Sequence, residues 1–264
     1  MRSQLLAEES RDRVAANALW EHHAGMDLLR ISAKNLGAFA IEDACPRCLW
    51  HKLRMQQKLP YQIFPGIFST IDSFSKRITH LHFEATNELP PWLTKVGING
   101  NPLPSMHYSR FQSITQEGVQ LTGVPDEIIK LKDGTMAIID NKTAKLTEGQ
   151  DDLLPLYEAQ LNGYAVIAQA IGLGKTSRLG LVYFEPQGIS EELFHEQLRV
   201  NGFAMDFSAT FVPVALDAKL IPRLLSRARR HFDLPEPPVA KDGCKDCRLV
   251  EQMIDLVGHA PIPS

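Results

Sequence analysis

Apolar residues recur along this chain with two different periods, and each period predicts a different kind of element. Spacings of three and four residues are typical of amphipathic helices, and they occur at 32–41, 68–84, 151–172 and 217–232. Apolar, β-branched runs bounded by turn residues are typical of strands, and they occur at 123–145, 177–186 and 194–216. The first run contains a turn and predicts a hairpin. The resulting order of elements is typical of a mixed α/β or α+β domain.

The hairpin segment reads GVPDEIIKLKDGTMAIIDNKTAK, and its turn decides which side chains face each other. A three-residue loop, KDG, with Gly134 in the left-handed conformation would pair Leu131 with Thr135. That register sets Asp126 directly opposite Asp140, because paired residues share a face of the sheet. A two-residue loop would shift the pairing by one residue and separate the two acids.

A lysine completes the polar group on this hairpin. Lys142 follows Asp140 by two residues and therefore lies on the same face of its strand. Opposed carboxylates are unfavourable unless a cation neutralises them, and Mg²⁺ binds one or two carboxylates together with phosphate oxygens. The pattern predicts a metal-dependent site for phosphodiester hydrolysis. The alternative is a surface hairpin with an Asp–Lys pair worth under about 1 kcal/mol.

Composition limits the classes of function that the chain can have. Its 264 residues, 44% of them hydrophobic, are enough for one large domain with a core. A net charge of −3 requires that any basic surface for nucleic acid be local. No apolar run is long enough to span a membrane, and the charged N-terminus is unlike a secretory signal. We expect a cytoplasmic protein with a helical extension at 1–30 and a single domain at 31–264.

The four cysteines form two C-x-x-C pairs, Cys45 with Cys48 and Cys244 with Cys247. In a cytosolic chain this arrangement favours a metal site over disulfides. Four unliganded thiols are the remaining alternative.

In the order of its motifs the sequence resembles the PD-(D/E)XK nuclease superfamily, in particular its RecB-like and CRISPR-associated branch. The signature of that family is an acid, then D/E-x-K on the next strand, then Q-x-x-x-Y on the following helix. The matching residues are Asp126, Asp140, Lys142, Gln160 and Tyr164. The resemblance implies a restriction-endonuclease-like core, in which helices flank a mixed β-sheet. It also implies that a four-cysteine metal site joins the N-terminal and C-terminal segments.

The resemblance also implies a role for each matching residue. Asp126 and Asp140 would ligate Mg²⁺ or Mn²⁺, with the backbone carbonyl of Asn141 as a further ligand. Lys142 would be the catalytic lysine. The glutamine and the tyrosine of the motif would contact the nucleic-acid strand or support the site.

The helix before the hairpin departs from the family pattern. Many RecB-like members carry a metal-ligating histidine there. In this chain Asp72 lies nearest the expected place, whereas His80 and His82 come later in the helix. We therefore expect Asp72 as a metal ligand, and a solvated acid is the alternative.

The cysteines depart from the family pattern in their partition. The resemblance implies a 4Fe–4S cluster, but that family usually has one cysteine before the core and three after it. Two C-x-x-C pairs favour structural zinc by spacing alone, and a set of four cysteines also holds iron–sulfur clusters. The cluster is our expectation, with zinc as the alternative.

These observations together predict a metal-dependent deoxyribonuclease that acts on single-stranded or duplex DNA in repair, recombination or defence. A protein partner in a larger complex is compatible with this function. The alternative is a non-catalytic nuclease-fold module that binds nucleic acid or assembles a complex. Basic residues on the last predicted helix, among them Arg227 and Arg229, would track phosphates or form a solvated face.

Overall fold

The computed structural model describes residues 28–56, 66–146, 153–188, 191–192 and 194–258. The predicted N-terminal extension lies outside these residues except for its last three positions. The described helices are α1 (Ala33–Leu36), α2 (Pro46–Arg54), α3 (Gly66–Thr86), α4 (Pro91–Thr94), α5 (Leu154–Ala170), α6 (Phe194–Gln197), α7 (Leu220–Asp233) and α8 (Lys245–Gly258). None of these helices is long and apolar enough to cross a membrane.

The described strands form two sheets and a small hairpin. They are β1 (Leu29–Ser32), β2 (Gly100–Pro102), β3 (Gln112–Ile114), β4 (Val119–Thr122), β5 (Glu127–Leu131), β6 (Met136–Lys142), β7 (Thr176–Pro186), β8 (Leu198–Arg199), β9 (Gly202–Phe203) and β10 (Phe207–Val214). The larger sheet has the order β10-β7-β6-β5-β2, and the smaller one has the order β1-β4-β3. Strand β6 is parallel to β7 and antiparallel to β5. The fold is therefore the predicted restriction-endonuclease-like mixed sheet with flanking helices.

Strand β6 lies in the middle of the larger sheet, and its alternating residues serve two cores. Ile138 belongs to the core that includes Leu161 of α5. Ile139 belongs to a second core on the other face, together with Leu93 of α4. Side chains of a strand alternate between faces, so Asp140, two residues after Ile138, is directed towards α5.

The hairpin between β5 and β6 has the predicted register. The backbone N–H of Leu131 donates to the carbonyl of Thr135 at 2.8 Å, and Gly134 has a φ of +84°. The ladder then pairs Lys130 with Met136 and continues without a shift to Glu127, the first residue of β5. The three-residue turn thus determines which side chains meet at the far end of the hairpin.

Other predicted segments are corrected in detail. The proline-rich stretch 87–105, for which the apolar pattern predicted no element, contains α4 and β2, and the stretch 194–216 contains a short helix and a hairpin before its strand. Strands β1, β3 and β4 have three or four residues each. A segment of that length is too short to show a period, so the sequence pattern did not predict them.

Replacing Gly134 with alanine tests the turn that fixes the register. A Cβ at this position meets nothing within 4 Å, so the cost comes only from the positive φ. We expect Gly134→Ala to lower the free energy of unfolding by about 1–2 kcal/mol in a denaturant titration. Gly188 also has open space but no positive φ, so Gly188→Ala is the matched control and should be neutral or stabilising. Equal effects of the two substitutions would contradict the left-handed turn.

Candidate functional site

The two predicted acids meet just before β5 begins, beside the part of β6 that extends past it. The last pair of the ladder joins Glu127 to Ile139, and one residue further Asp126 lies opposite Asp140. Beyond that pair the backbone N–H of Asn141 donates to Oδ2 of Asp126 at 2.7 Å. The Asp126 carboxylate therefore accepts the hydrogen bond that a backbone carbonyl would accept in a continued ladder. This bond holds the carboxylate against β6.

Lys142 contacts the second acid of this group. Its Nζ lies 2.5 Å from Oδ2 of Asp140 and 3.3 Å from Oε1 of Gln160. The ammonium also lies 4.3 Å from the ring centroid of Tyr157, a distance suited to a cation–π contact. Asp140 and two residues of α5 thus hold the ammonium, and 17% of the lysine side chain remains exposed.

Gln160 and Tyr164 lie beneath the carboxylates on α5. Nε2 of Gln160 donates to Oδ1 of Asp140 at 2.7 Å and to the hydroxyl of Tyr164 at 2.9 Å. Both side chains are 4% exposed, since residues four apart share the face of α5 that packs on the sheet. Gly123 makes room for the tyrosine, because a Cβ there would lie 2.4 Å from its ring. Their position supports Asp140 from below.

Helix α3 brings two more charged groups to the other side of the site. Nζ of Lys76 lies 2.7 Å from Oδ2 of Asp72, one turn earlier in the helix, and 3.0 Å from Oδ1 of Asp126. Asp72 is thus linked to Asp126 through the lysine. The neighbouring charges of Asp126 and Asp72 keep the pKa of Lys76 above its ordinary value, although burial alone would lower it.

The histidine that comes next along α3 serves a different acid. Nε2 of His80 lies 3.3 Å from Oε2 of Glu127, which is 2% exposed. Glu127 alternates with Asp126 along the strand and therefore points to the other face of the sheet. Burial raises the pKa of Glu127 to about 8. The structure therefore places His80 away from the pair of Asp126 and Asp140.

Burial and a neighbouring charge perturb one acid of the site. Burial, reinforced by the charge of Asp140, raises the pKa of Asp126 to about 6, while Lys76 and the Asn141 N–H oppose the shift. Burial and the charge of Asp140 also raise the pKa of Tyr164. A carboxylate perturbed in this way is typical of sites that bind a cation or transfer protons.

The four cysteines come together at the starts of two helices. Cys45 is the N-cap residue of α2, and Cys244 directly precedes α8. The Sγ–Sγ distances are 3.6 Å for Cys45 and Cys247, 3.5 Å for Cys48 and Cys244, and 3.4 Å for Cys48 and Cys247. All four sulfurs lie within 4.8 Å of one another, close enough to hold a metal ion.

The thiols of this cluster differ in pKa, because burial raises the pKa of Cys48 and raises that of Cys247 to about 11, whereas the pKa of Cys45 is lowered. Burial alone would raise the pKa of the Cys45 thiol, but hydrogen bonds from the backbone N–H groups of Lys241 and Cys48 lower it to about 6. The N-terminal ends of α2 and α8 also favour negative charge. Arg47 of α2 adds an ion pair with Glu251 of α8 at 2.8 Å. The cluster therefore joins segments about two hundred residues apart, as predicted.

Two opposed carboxylates, a lysine, a glutamine and a tyrosine thus come together on the mixed sheet, as the order of the motifs predicted. The chain belongs to the PD-(D/E)XK nuclease superfamily, whose model matches residues 7–251. No protein of curated function matches the sequence. A solved structure described as "Crystal structure of SSO0001" aligns with a TM-score of 0.38 and 14% identity, over 88% of this chain and 89% of that one.

The basic residues singled out in the sequence, and two tryptophans, make contacts within the chain. Nη1 of Arg227 donates to the carbonyl of Phe39 at 2.9 Å, and Arg229 pairs with Asp233 at 2.6 Å. The Trp50 indole N–H donates to the carbonyl of Leu234 at 3.1 Å, and Trp92 packs edge-on against Phe184. These contacts favour structural roles for all four residues.

The sequence pattern did not point to Lys76, whose ammonium lies 3.0 Å from Oδ1 of Asp126. The signal was present: Asp72 and Lys76 are four residues apart and must share a helix face. The pattern alone did not indicate that this face would turn towards the sheet.

Replacing Gln160 with leucine tests the buried support of Asp140. The substitution removes the N–H that Oδ1 of Asp140 accepts and leaves a buried acceptor without that partner. We expect the free energy of unfolding to fall by about 1–3 kcal/mol, measured by denaturant titration. Gln169→Leu, on an exposed position of the same helix, should change stability by less than about 0.5 kcal/mol. An equally small effect of Gln160→Leu would contradict a supporting role.

Proposed function

We propose that this nuclease-superfamily protein hydrolyses phosphodiester bonds of DNA with Mg²⁺ or Mn²⁺, and that Asp126, Asp140 and Lys142 are its active site. The observation that carries the proposal is the register of β5 and β6, which sets the two carboxylates opposite each other with the lysine on Asp140. In a hairpin with no role but folding, two partly buried acids in opposition would only destabilise the sheet.

The donor set suits a hard divalent cation. Each carboxylate oxygen of Asp126 and Asp140 accepts one hydrogen bond or ion pair from the chain and retains further lone-pair capacity. Within a strand the N–H and the carbonyl of one residue point to the same side. Because the N–H of Asn141 reaches Asp126, its carbonyl faces the same edge of β6, where β5 no longer pairs with it. Oxygen ligands from two carboxylates and a carbonyl are the kind that Mg²⁺ and Mn²⁺ prefer.

Each residue of the chain has a defined task in this proposal. A bound divalent cation would polarise the phosphodiester and lower the pKa of a water molecule. Lys142, held against Asp140 and the Tyr157 ring, would donate to the charge that develops on the phosphate. Gln160 and Tyr164 would position Asp140, as their burial indicates. Asp72 would ligate the cation through Oδ1, since Lys76 contacts Oδ2.

We propose DNA as the substrate. Ribonucleic acid carries a 2′-hydroxyl that can attack its own backbone, whereas DNA must be cut by an external nucleophile. A site built from carboxylates, a cation and a lysine supplies that nucleophile from water. The presence of both acids and the lysine argues against the alternative of a purely non-catalytic module. DNA repair, recombination and defence are the processes in which we expect such an activity to serve.

The proposal is tested by cleavage of end-labelled single-stranded and duplex DNA, with a matched RNA, in Mg²⁺ or Mn²⁺. We expect DNA cleavage that EDTA abolishes. Lys142→Ala should slow cleavage by about 10²–10³-fold, the usual loss when one electrostatic stabiliser is removed. Lys132 lies exposed in the turn of the same hairpin, so Lys132→Ala should cut like wild type. Wild type as inert as Lys142→Ala in both metals would overturn the proposal, and preferential cutting of RNA would overturn the choice of substrate.

For the cysteine cluster we propose structural zinc in place of the iron–sulfur cluster that the family resemblance implies. Four thiolates about 2.3 Å from one tetrahedral zinc ion lie about 3.8 Å from one another. The three closest pairs, at 3.4–3.6 Å, are near this value. A 4Fe–4S cluster binds each thiolate through a different iron and so holds the sulfurs farther apart. This spacing of the sulfurs favours one shared ion.

Metal analysis of protein purified without oxygen distinguishes the two cofactors. We expect about one zinc per chain and neither iron nor acid-labile sulfide. Cys247→Ser should lose the zinc and roughly 2–5 kcal/mol of unfolding free energy, as expected when a link that closes a long loop is removed. Iron and sulfide in equal amounts, with a visible chromophore lost in the same variant, would contradict zinc.

A further inference from the structure

Helix α3 places both polar and apolar residues against the rest of the protein. Ser75 and Thr79 are buried, at 5% and 2% exposure, and Phe83 packs against the second core, whereas Phe74 and Leu81 are 67% and 46% exposed. This orientation brings Lys76 to the carboxylates.

Lys76 and Lys142 have matching positions around the two acids. Nζ of Lys76 lies 3.0 Å from Oδ1 of Asp126, and Nζ of Lys142 lies 2.5 Å from Oδ2 of Asp140. One ammonium comes from α3 and the other from β6, so they approach the acids from different elements. The Lys76 side chain is 40% exposed and that of Lys142 is 17% exposed. Lys76 is therefore the more accessible of the two to a phosphate that arrives from solvent.

We infer that Lys76 is a second catalytic lysine, whose ammonium contacts a non-bridging oxygen of the scissile phosphodiester and supplies positive charge that would otherwise come from a second metal ion. This inference rests on the proposed function. In the free protein Asp72 and Asp126 hold the ammonium at the site, so it is already in place when the nucleic acid binds. Preplaced charge of this kind stabilises a transition state without reorganisation.

The same placement has a consequence for metal binding. Lys76 pairs with Asp126 and Asp72, two of the acids proposed as ligands, and therefore competes with a divalent cation for their charge. A unit charge within a few ångströms of a divalent ion changes its affinity by about tenfold even where screening is as strong as in water. Lys76 should therefore weaken the binding of the metal while it accelerates the cleavage.

Replacing Lys76 with methionine separates these two effects, since the side chain keeps its length and loses its charge. Two quantities are measured: the Kd of Mn²⁺ by calorimetry without nucleic acid, and the single-turnover cleavage rate at saturating Mn²⁺. We expect Lys76→Met to bind Mn²⁺ about tenfold tighter and to cleave about 10²-fold more slowly. Lys76→Arg keeps the charge, so it should retain the Mn²⁺ affinity of wild type and part of the rate.

A lysine that only holds Asp126 in place gives the opposite result for the metal. Its loss would disorder a ligand and weaken Mn²⁺ binding, or leave it unchanged, and either outcome would overturn the inference. A cleavage rate equal to that of wild type would overturn it as well. Arg77 is the next residue of α3 and is exposed, so Arg77→Met is the matched control and should change neither quantity.

Failure of the proposed function is recognised by a different pattern. If wild type bound no Mn²⁺ and cut no nucleic acid, the metal site itself would be wrong, and the role of Lys76 with it. If wild type bound Mn²⁺ and Lys142→Ala abolished cleavage while Lys76→Met cleaved normally, the nuclease site would stand and Lys76 would be a structural residue.

Discussion

The pairing of β5 with β6 is the constraint on which the rest of the site depends. Side chains on a strand alternate with a period of two, so a slip of one residue would send Asp126 to the wrong neighbour and part it from Asp140. The register begins at Gly134, whose positive φ closes the turn. Hydrophobic burial reinforces it, because Ile138 and Ile139 each serve a different core. Geometry set at the turn is carried to the carboxylates at the far end of the hairpin.

Electrostatics explains why the acids are surrounded as they are. Two partly buried carboxylates in opposition are unfavourable, as the raised pKa of Asp126 indicates. Each acid is accordingly offset by a lysine, Lys76 on one and Lys142 on the other, and by a neutral donor, the Asn141 N–H or the Gln160 amide. Donors from α3, β6 and α5 thus stabilise the two carboxylates at a partly desolvated position.

The cysteine cluster brings together two parts of the chain that are far apart in sequence. Helices α2 and α8 lie near opposite ends of the described chain, and outside the cluster only a few contacts join them, among them the ion pair of Arg47 and Glu251. A shared metal ion would join the starts of these two helices at one point. The lowered pKa of Cys45 assists this, since the ligand is the thiolate. Closing a loop of this length removes many conformations from the unfolded chain.

Local sequence determined the hairpin, its register and the shared face of Gln160 and Tyr164, because a turn and a helical repeat fix geometry over a few residues. It also determined that the cysteines could form one metal site. The tertiary structure alone decided how α3 is rotated. Its apolar repeat predicted an amphipathic helix, yet Phe74 is exposed while Ser75 and Thr79 are buried. Rotation of a helix about its axis depends on all the surfaces it contacts, and no local pattern encodes those surfaces.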